Sequence, residues 1–243
     1  VAGNSRNKRL TANCRPNRAT PWNPRTVKWL IQNLETVADL TVAHLGLVIP
    51  AVVLSVLIAV PLGRIAHGQR WLRGPALGAV GVLYAIPSLP LFILVPTIFG
   101  TGLRSSATAV IVLTVYGVAV LIRSAADAFG AVPESALAAA AAMGYSRWGR
   151  FWAVELPIAV PVLIAGLRVV AVSTVSLATI GSLTGISSLG TLFTDGFQRG
   201  IPAEVITGLV LTVVMAVALD LVLAGLGRIL APWNRSTIAT GRG

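Results

Sequence analysis

Residues 134–157 read ESALAAAAAMGYSRWGRFWAVELP, the one long polar-bearing segment between apolar runs in the second half of the chain. Pro133 and Glu134 open it. Proline suits the first turn of a helix, whose N–H groups lack partners, and an acid there meets the positive end of the helix dipole. Ala138 to Ala142 form a run with the highest intrinsic helix preference. Gly144 supplies a stop, because glycine enters the left-handed conformation without steric cost. Ser146 then caps a second short helix carrying Arg147, Trp148, Arg150 and Trp152, and Leu156-Pro157 starts a long apolar run. The stretch therefore predicts two short surface helices joining two long apolar ones, in an all-α chain.

Composition sets the class. Of 243 residues, 55% are hydrophobic and 11% charged, against about 25% charged in an average soluble domain. The mean hydropathy is +0.82. These values predict an integral membrane protein. The net charge of +11 would suit nucleic acid, but the basic residues gather at the ends of apolar runs, as in cytoplasmic loops of membrane proteins. No nucleic-acid partner is expected; the bilayer is. Cys14 is the single cysteine, and His44 and His67 lie far apart without paired acids, so no metal site and no intramolecular disulfide are expected.

Taken in order, residues 1–28 form a basic tail with Arg6, Lys8, Arg9, Arg15, Arg18, Arg25 and Lys28, broken by Pro16, Pro21 and Pro24. The reading there is a disordered or membrane-surface segment and not a secretory signal. Residues 29–44 alternate at helical spacing: Trp29, Leu30, Leu34, Val37 and Leu40 oppose Gln32, Glu35 and Asp39. They predict an amphipathic helix at the membrane surface or a soluble-type helix leading into the first span.

Residues 45–227 carry five expected spans: 45–63, 75–100, 107–122, 158–180 and 203–227. Pro50 and Pro61 kink the first. Ile86-Pro87-Ser88-Leu89-Pro90 interrupts the second. Two prolines three apart remove two helix donors, and backbone groups freed inside a membrane need protein or water partners. The break is either a pathway-lining bend or a kinked packing helix. The fourth span holds Arg168 and a series of hydroxyls, Thr174, Ser176, Thr179, Ser182 and Thr184, which either bond across helix contacts or line a polar passage. Asp220 stands near the end of the fifth and pairs with Arg228 or with another helix.

With 123–157 inside, five spans place the N-terminus outside and the C-terminal tail 228–243 inside. Nine Lys or Arg then lie on inner loops, and the two outer loops hold only Arg104 and Arg199. That bias fits the positive-inside rule, while the basic tail opposes it. No Walker-type phosphate loop and no nucleophile-and-base arrangement occur, so no catalytic residue is expected.

Three stretches carry a family resemblance. Ala139-Ala140, Gly144, Val154 and Leu156-Pro157 resemble the E-A-A, x3, G, x9, I, x, L-P loop of ABC-importer permeases, with Ala138 at the Glu position and Val154 at the Ile position. Residues 84–92, YAIPSLPLF, are similar to T-I-P-S-L-A-L-L of osmoprotectant permeases. Residues 156–190, LPIAVPVLIAGLRVVAVSTVSLATIGSLTGISSLG, resemble L-P-x-A-x-P-x-I-x-A-G-I-R followed by G-A-G-G-L-G, here Gly185-Ile186-Ser187-Ser188-Leu189-Gly190.

The resemblance implies a polytopic five-helix permease core of a type I, binding-protein-dependent ABC importer, set in the cytoplasmic membrane of a bacterium. The implied solute is glycine betaine, choline, carnitine or proline; methionine or another amino acid is the alternative. A small integral-membrane enzyme or an assembly subunit is the reading of a different class, to be separated by turnover without an ATPase partner. The resemblance implies that residues 134–157 contact an ATPase, through Ala138, Ala139, Ala140, Met143, Gly144, Tyr145 and Arg147. Candidate pathway or gate residues are Pro87, Ser88, Pro90, Thr174, Ser176 and Thr179, and Arg168 and Asp220 are expected to be structural charges. Implied partners are two ATP-binding subunits that hold ATP and magnesium, a second permease chain and an extracytoplasmic solute-binding protein. No cofactor is expected on this chain.

Overall fold

The computed structural model describes residues 24–68, 74, 78, 81–82 and 86–235. Cys14, most of the basic tail, Arg70 and Arg73, most of the first half of the expected second span, and residues 236–243 lie outside the described residues. Within them every regular element is a helix. In chain order these are α1 (Pro24–Gln32), α2 (Leu34–Gly68), α3 (Ser88–Phe99), α4 (Ser106–Gly130), α5 (Glu134–Ala142), α6 (Arg147–Arg150), α7 (Leu156–Ala178), α8 (Gly190–Gln198) and α9 (Pro202–Leu230). A π-turn, Phe151–Glu155, joins α6 to α7, and 3₁₀ turns follow α7 and α9.

Four of these runs are long and apolar enough to cross a membrane, among the described residues: Leu34–Gly68, Ser106–Gly130, Arg147–Thr184 and Pro202–Leu230. The span expected over 75–100 is represented by α3, 12 residues long, or ~18 Å at 1.5 Å per residue. The expected helix over 29–44 is divided differently. The chain breaks at Asn33, whose side-chain amide donates to the Trp29 carbonyl at 2.8 Å. Residues 34–44 then continue without interruption into the first span, as one helix of 35 residues. The reason is burial: Val37 and His44 face the bundle, not water or headgroups. His44 is fully buried, its Nε2 3.2 Å from the Val175 carbonyl, while its Nδ1 accepts from the Leu189 N–H at 3.2 Å. It ties α2 to α7 and to the turn before α8.

The bundle packs α4 at its centre, against α2 on one side and α7 on the other. Lipid tails are as apolar as leucine, so helices associate in a bilayer through close van der Waals contact between small residues. The crossings show this. A Cβ added at Gly117 of α4 would stand 2.1 Å from Ser55 Oγ of α2, and one at Gly166 of α7 would stand 2.6 Å from Ser124 Cβ of α4. Around these crossings Val48, Val112, Leu113, Val175, Leu189 and Phe92 are buried. The outside of the bundle is the reverse of a soluble protein. Ile49, Leu57, Leu221, Val222 and Ile229 are exposed, an apolar area that a soluble monomer does not leave uncovered.

Candidate functional site

Two regions carry the expected chemistry: a foot at one end of the bundle and a cavity within it.

The foot is α5, α6 and the π-turn. Its first turn closes as the sequence predicts and with an added detail. Gly144 has φ +82°, and its N–H donates to the Ala141 carbonyl while the Tyr145 N–H donates back to Ala140. These two bonds satisfy carbonyls that a helix end otherwise leaves open. Ser146 Oγ accepts from the Gly149 N–H at 3.1 Å and so caps α6. Of the expected contact residues, Ala138, Ala139, Met143, Gly144, Tyr145 and Arg147 are exposed on one continuous turn, whereas Ala140 is buried beneath them. Trp148 and Trp152 are also exposed, between the foot and the apolar spans, where amphipathic indole rings are favoured.

The foot is bound to the bundle by a cluster absent from the sequence reading. Glu155 is buried. Arg64 at the end of α2 donates Nε–H to its Oε2 at 2.9 Å, and Arg150 of α6 donates Nε–H to its Oε1 at 3.2 Å. The Arg64 guanidinium lies 4.6 Å from the centre of the Phe151 ring, a cation–π contact. Phe151 in turn meets Phe129 of α4, Trp148 and Trp152. One carboxylate thus joins the first span, the foot and the start of α7. Its signal in the sequence is an isolated acid in a basic segment, directly before Leu156-Pro157.

The cavity has a volume of about 560 Å³ and lies between α4, α7 and the break before α3. That size is within the ~300–1,000 Å³ of small-molecule sites. Pro87, Ser88, Thr174 and Ser176, four of the expected pathway residues, line it together with Ile86, Tyr116 and Ser173. Pro90 lines a separate surface groove with Leu89 and Ile93. Thr179 turns inward on its own backbone, its hydroxyl donating to the Ser176 carbonyl at 2.7 Å. Thr174 and Ser176 also donate to carbonyls four residues back, so their hydroxyls offer lone pairs to the cavity rather than free protons. Among the described residues that line it, none is charged.

Tyr116 closes the account of the break. In a continuous helix the Ile86 carbonyl would accept from residue 90, but Pro90 has no N–H. The Tyr116 hydroxyl donates to that carbonyl instead. A side chain 30 positions away thus satisfies a backbone group that the bilayer could not. Nothing local in the sequence pairs these two residues.

Arg168 and Asp220 meet. The guanidinium of α7 donates to both carboxylate oxygens of α9, Nε to Oδ1 and Nη2 to Oδ2, each at 2.7 Å. Of the two partners open for Asp220, the one on another helix is taken. Among the described residues no cluster of metal-ligating side chains occurs.

Residues 51–236 match the family described as "Binding-protein-dependent transport system inner membrane component". The osmoprotectant import permease protein OsmW of Salmonella typhimurium is 32% identical over 212 residues, 85% of this chain and 97% of that protein. The glycine betaine/carnitine/choline transport system permease protein OpuCB of Bacillus subtilis is 29% identical over 189 residues, 78% and 86% of the two chains. Among solved structures, an inward-facing form of the MetNI methionine ABC transporter superposes with a TM-score of 0.71 at 21% identity, over 82% of this chain and 98% of that one. At that identity the likeness concerns the fold, and it is the fold of an ABC-importer permease. A match over most of the chain, a relative of similar length and a bundle of apolar helices agree: this chain is a permease subunit belonging to the family of binding-protein-dependent transport-system inner-membrane components.

Proposed function

We propose that this chain passes a small osmoprotectant (glycine betaine, choline, carnitine or proline) across the cytoplasmic membrane in an ATP-driven importer. The observation that carries the reading is the cavity at the broken span. Among the described residues its lining is uncharged and bears hydroxyl oxygens and the ring of Tyr116, and it sits in a chain whose sequence relatives are permeases for such solutes. Neutral lone pairs hydrate a cationic or zwitterionic headgroup without trapping it, which a fixed charge at that point would do.

The assembly that goes with this reading has two permease chains, two ATP-binding subunits and an external solute-binding protein. ATP is hydrolysed on the partner subunits. Their closure presses on the exposed turn of Ala138, Ala139, Met143, Gly144, Tyr145 and Arg147, and the Glu155 cluster passes that displacement to α2 and α7. The spans respond as a shift between inward- and outward-open populations, driven by the differential affinity of nucleotide for the two states. Solute choice rests mainly with the binding protein, where aromatic rings can enclose a quaternary ammonium group. Methionine is the second reading, favoured by the fold of its transporter alone.

Uptake of radiolabelled glycine betaine, choline and methionine into proteoliposomes holding all partners separates the two. ATP-dependent accumulation of betaine or choline is expected. Accumulation of methionine alone would transfer the assignment to amino acids.

A further inference from the structure

The Arg168–Asp220 pair has a setting that a purely structural ion pair does not need. Arg168 is twelve residues past Leu156 on α7, and Asp220 ten residues before Leu230 on α9, or about 18 and 15 Å along their helices. In a hydrocarbon layer of about 30 Å both stand near the middle. Charges at that depth face protein or water, not acyl chains. Yet the side chains are 42% and 27% exposed.

What they open onto is a second cavity, of about 380 Å³, lined by Ala165, Arg168, Val169, Val172, Ser173 and Asp220. Val172 and Ser173 line the first cavity as well. The two spaces therefore adjoin along one face of α7, on which Arg168, Val172 and Ser176 follow at intervals of four. Along that face the lining changes from neutral hydroxyls at the helix break to a paired positive and negative charge.

We infer that Arg168 and Asp220 form a solute-binding station for zwitterions, in which the pair opens so that the solute carboxylate takes the Arg168 fork while its quaternary ammonium lies against Asp220. The chemistry is an exchange of partners. Arg168 already holds a carboxylate in a two-pronged geometry, the arrangement a guanidinium gives any carboxylate. A zwitterion presents one carboxylate and one cation, so it replaces both halves of the pair with no change of net charge in the membrane. A quaternary ammonium has no N–H to donate, so in a cavity without an aromatic cage a full negative charge such as Asp220 holds it more strongly than the hydroxyls of the first cavity do. No covalent step is involved. The inference rests on the solute class proposed above.

The test uses the importer reconstituted with its ATPase and binding protein. Arg168→Gln is expected to lower glycine betaine uptake by at least about tenfold more than choline uptake, because choline has no carboxylate for the fork to hold. Asp220→Asn is expected to lower both. Equal losses for the two solutes in Arg168→Gln, or full recovery of rate and ratio in the reversed pair R168D/D220R, would reduce the pair to a structural tie. A second measurement stands apart from solute identity. In a Cys14→Ser background, Ser173→Cys is expected to react with a membrane-impermeant thiol reagent in at least one nucleotide state. Failure to react in every state would close the cavity to water and overturn the station. If the wild type carries neither betaine nor choline, the solute reading falls, and labelling at position 173 still decides whether the pair faces an aqueous passage.

Discussion

Gly144 and Glu155 are the two foot residues whose physics is most specific. Nothing lies within 4 Å of a Cβ added at Gly144, but its φ of +82° is a conformation that β-branched residues resist. Gly144→Val therefore strains the turn without a clash, by about 1–2 kcal/mol, enough to depopulate it by roughly 5–30-fold. Uptake and binding-protein-stimulated ATPase activity are expected to fall together, with membrane insertion unchanged; normal transport would remove the turn from the coupling route. Glu155→Gln keeps the shape of the side chain and removes the charge that holds Arg64 and Arg150. With the guanidinium groups partly exposed, the loss is about 1–2 kcal/mol. The foot should loosen, seen as faster tryptic cleavage after Arg147 and Arg150, with lower ATPase stimulation. Unchanged cleavage would mean that Phe151 alone anchors the foot. Gly144 was legible as a stop from its place after an alanine run. Glu155 was not, because its partner Arg64 is 91 positions away.

At the level of elements, the interrupted second span and the π-turn are the irregular ones. Pro87 and Pro90 announce the break in the sequence, since each removes a donor. Whether such a break faces a passage or packs between helices depends on what lies opposite. Here it is Tyr116, which completes the Ile86 carbonyl and shares the cavity with Pro87 and Ser88. Tyr116→Phe leaves that carbonyl unpaired at a cost of about 1–3 kcal/mol. A lower unfolding temperature in detergent and reduced uptake are expected; an unchanged melting profile would show that water takes the hydroxyl's place. The π-turn has no such warning. Phe151–Glu155 adds a residue to what is otherwise continuous helix from Arg147 to Thr184, and π-turns gather at functional positions. Here it lets Glu155 face Arg64 and Arg150 at once. The first helix was also only partly legible: its amphipathic spacing is real, but a helix face that meets the bundle and one that meets water look alike until His44 finds Val175 and Leu189.

For the whole molecule, the exposed apolar belt, the foot and the family match place the chain in a membrane as one part of an assembly. The foot presents Met143, Tyr145 and Trp148 to solvent with no described element covering them. An affinity-tagged chain extracted in mild detergent is expected to bring an ATP-binding subunit with it, and Gly144→Val to bring less. Extraction of the chain alone, in detergents of several kinds, would count against a stable foot contact. The sequence by itself determined what is local: apolar runs long enough to span, basic residues at their ends, proline breaks, the glycine stop and the spacing of the foot. These follow from backbone geometry and solvation, which act within a turn or two of each residue. Only the tertiary structure decided which distant groups meet: Arg168 with Asp220, Glu155 with Arg64, Tyr116 with Ile86, His44 with Val175 and Leu189. In a medium that solvates no polar group, each of those groups must find its partner inside the bundle, and helix packing, not chain order, sets which one is within reach.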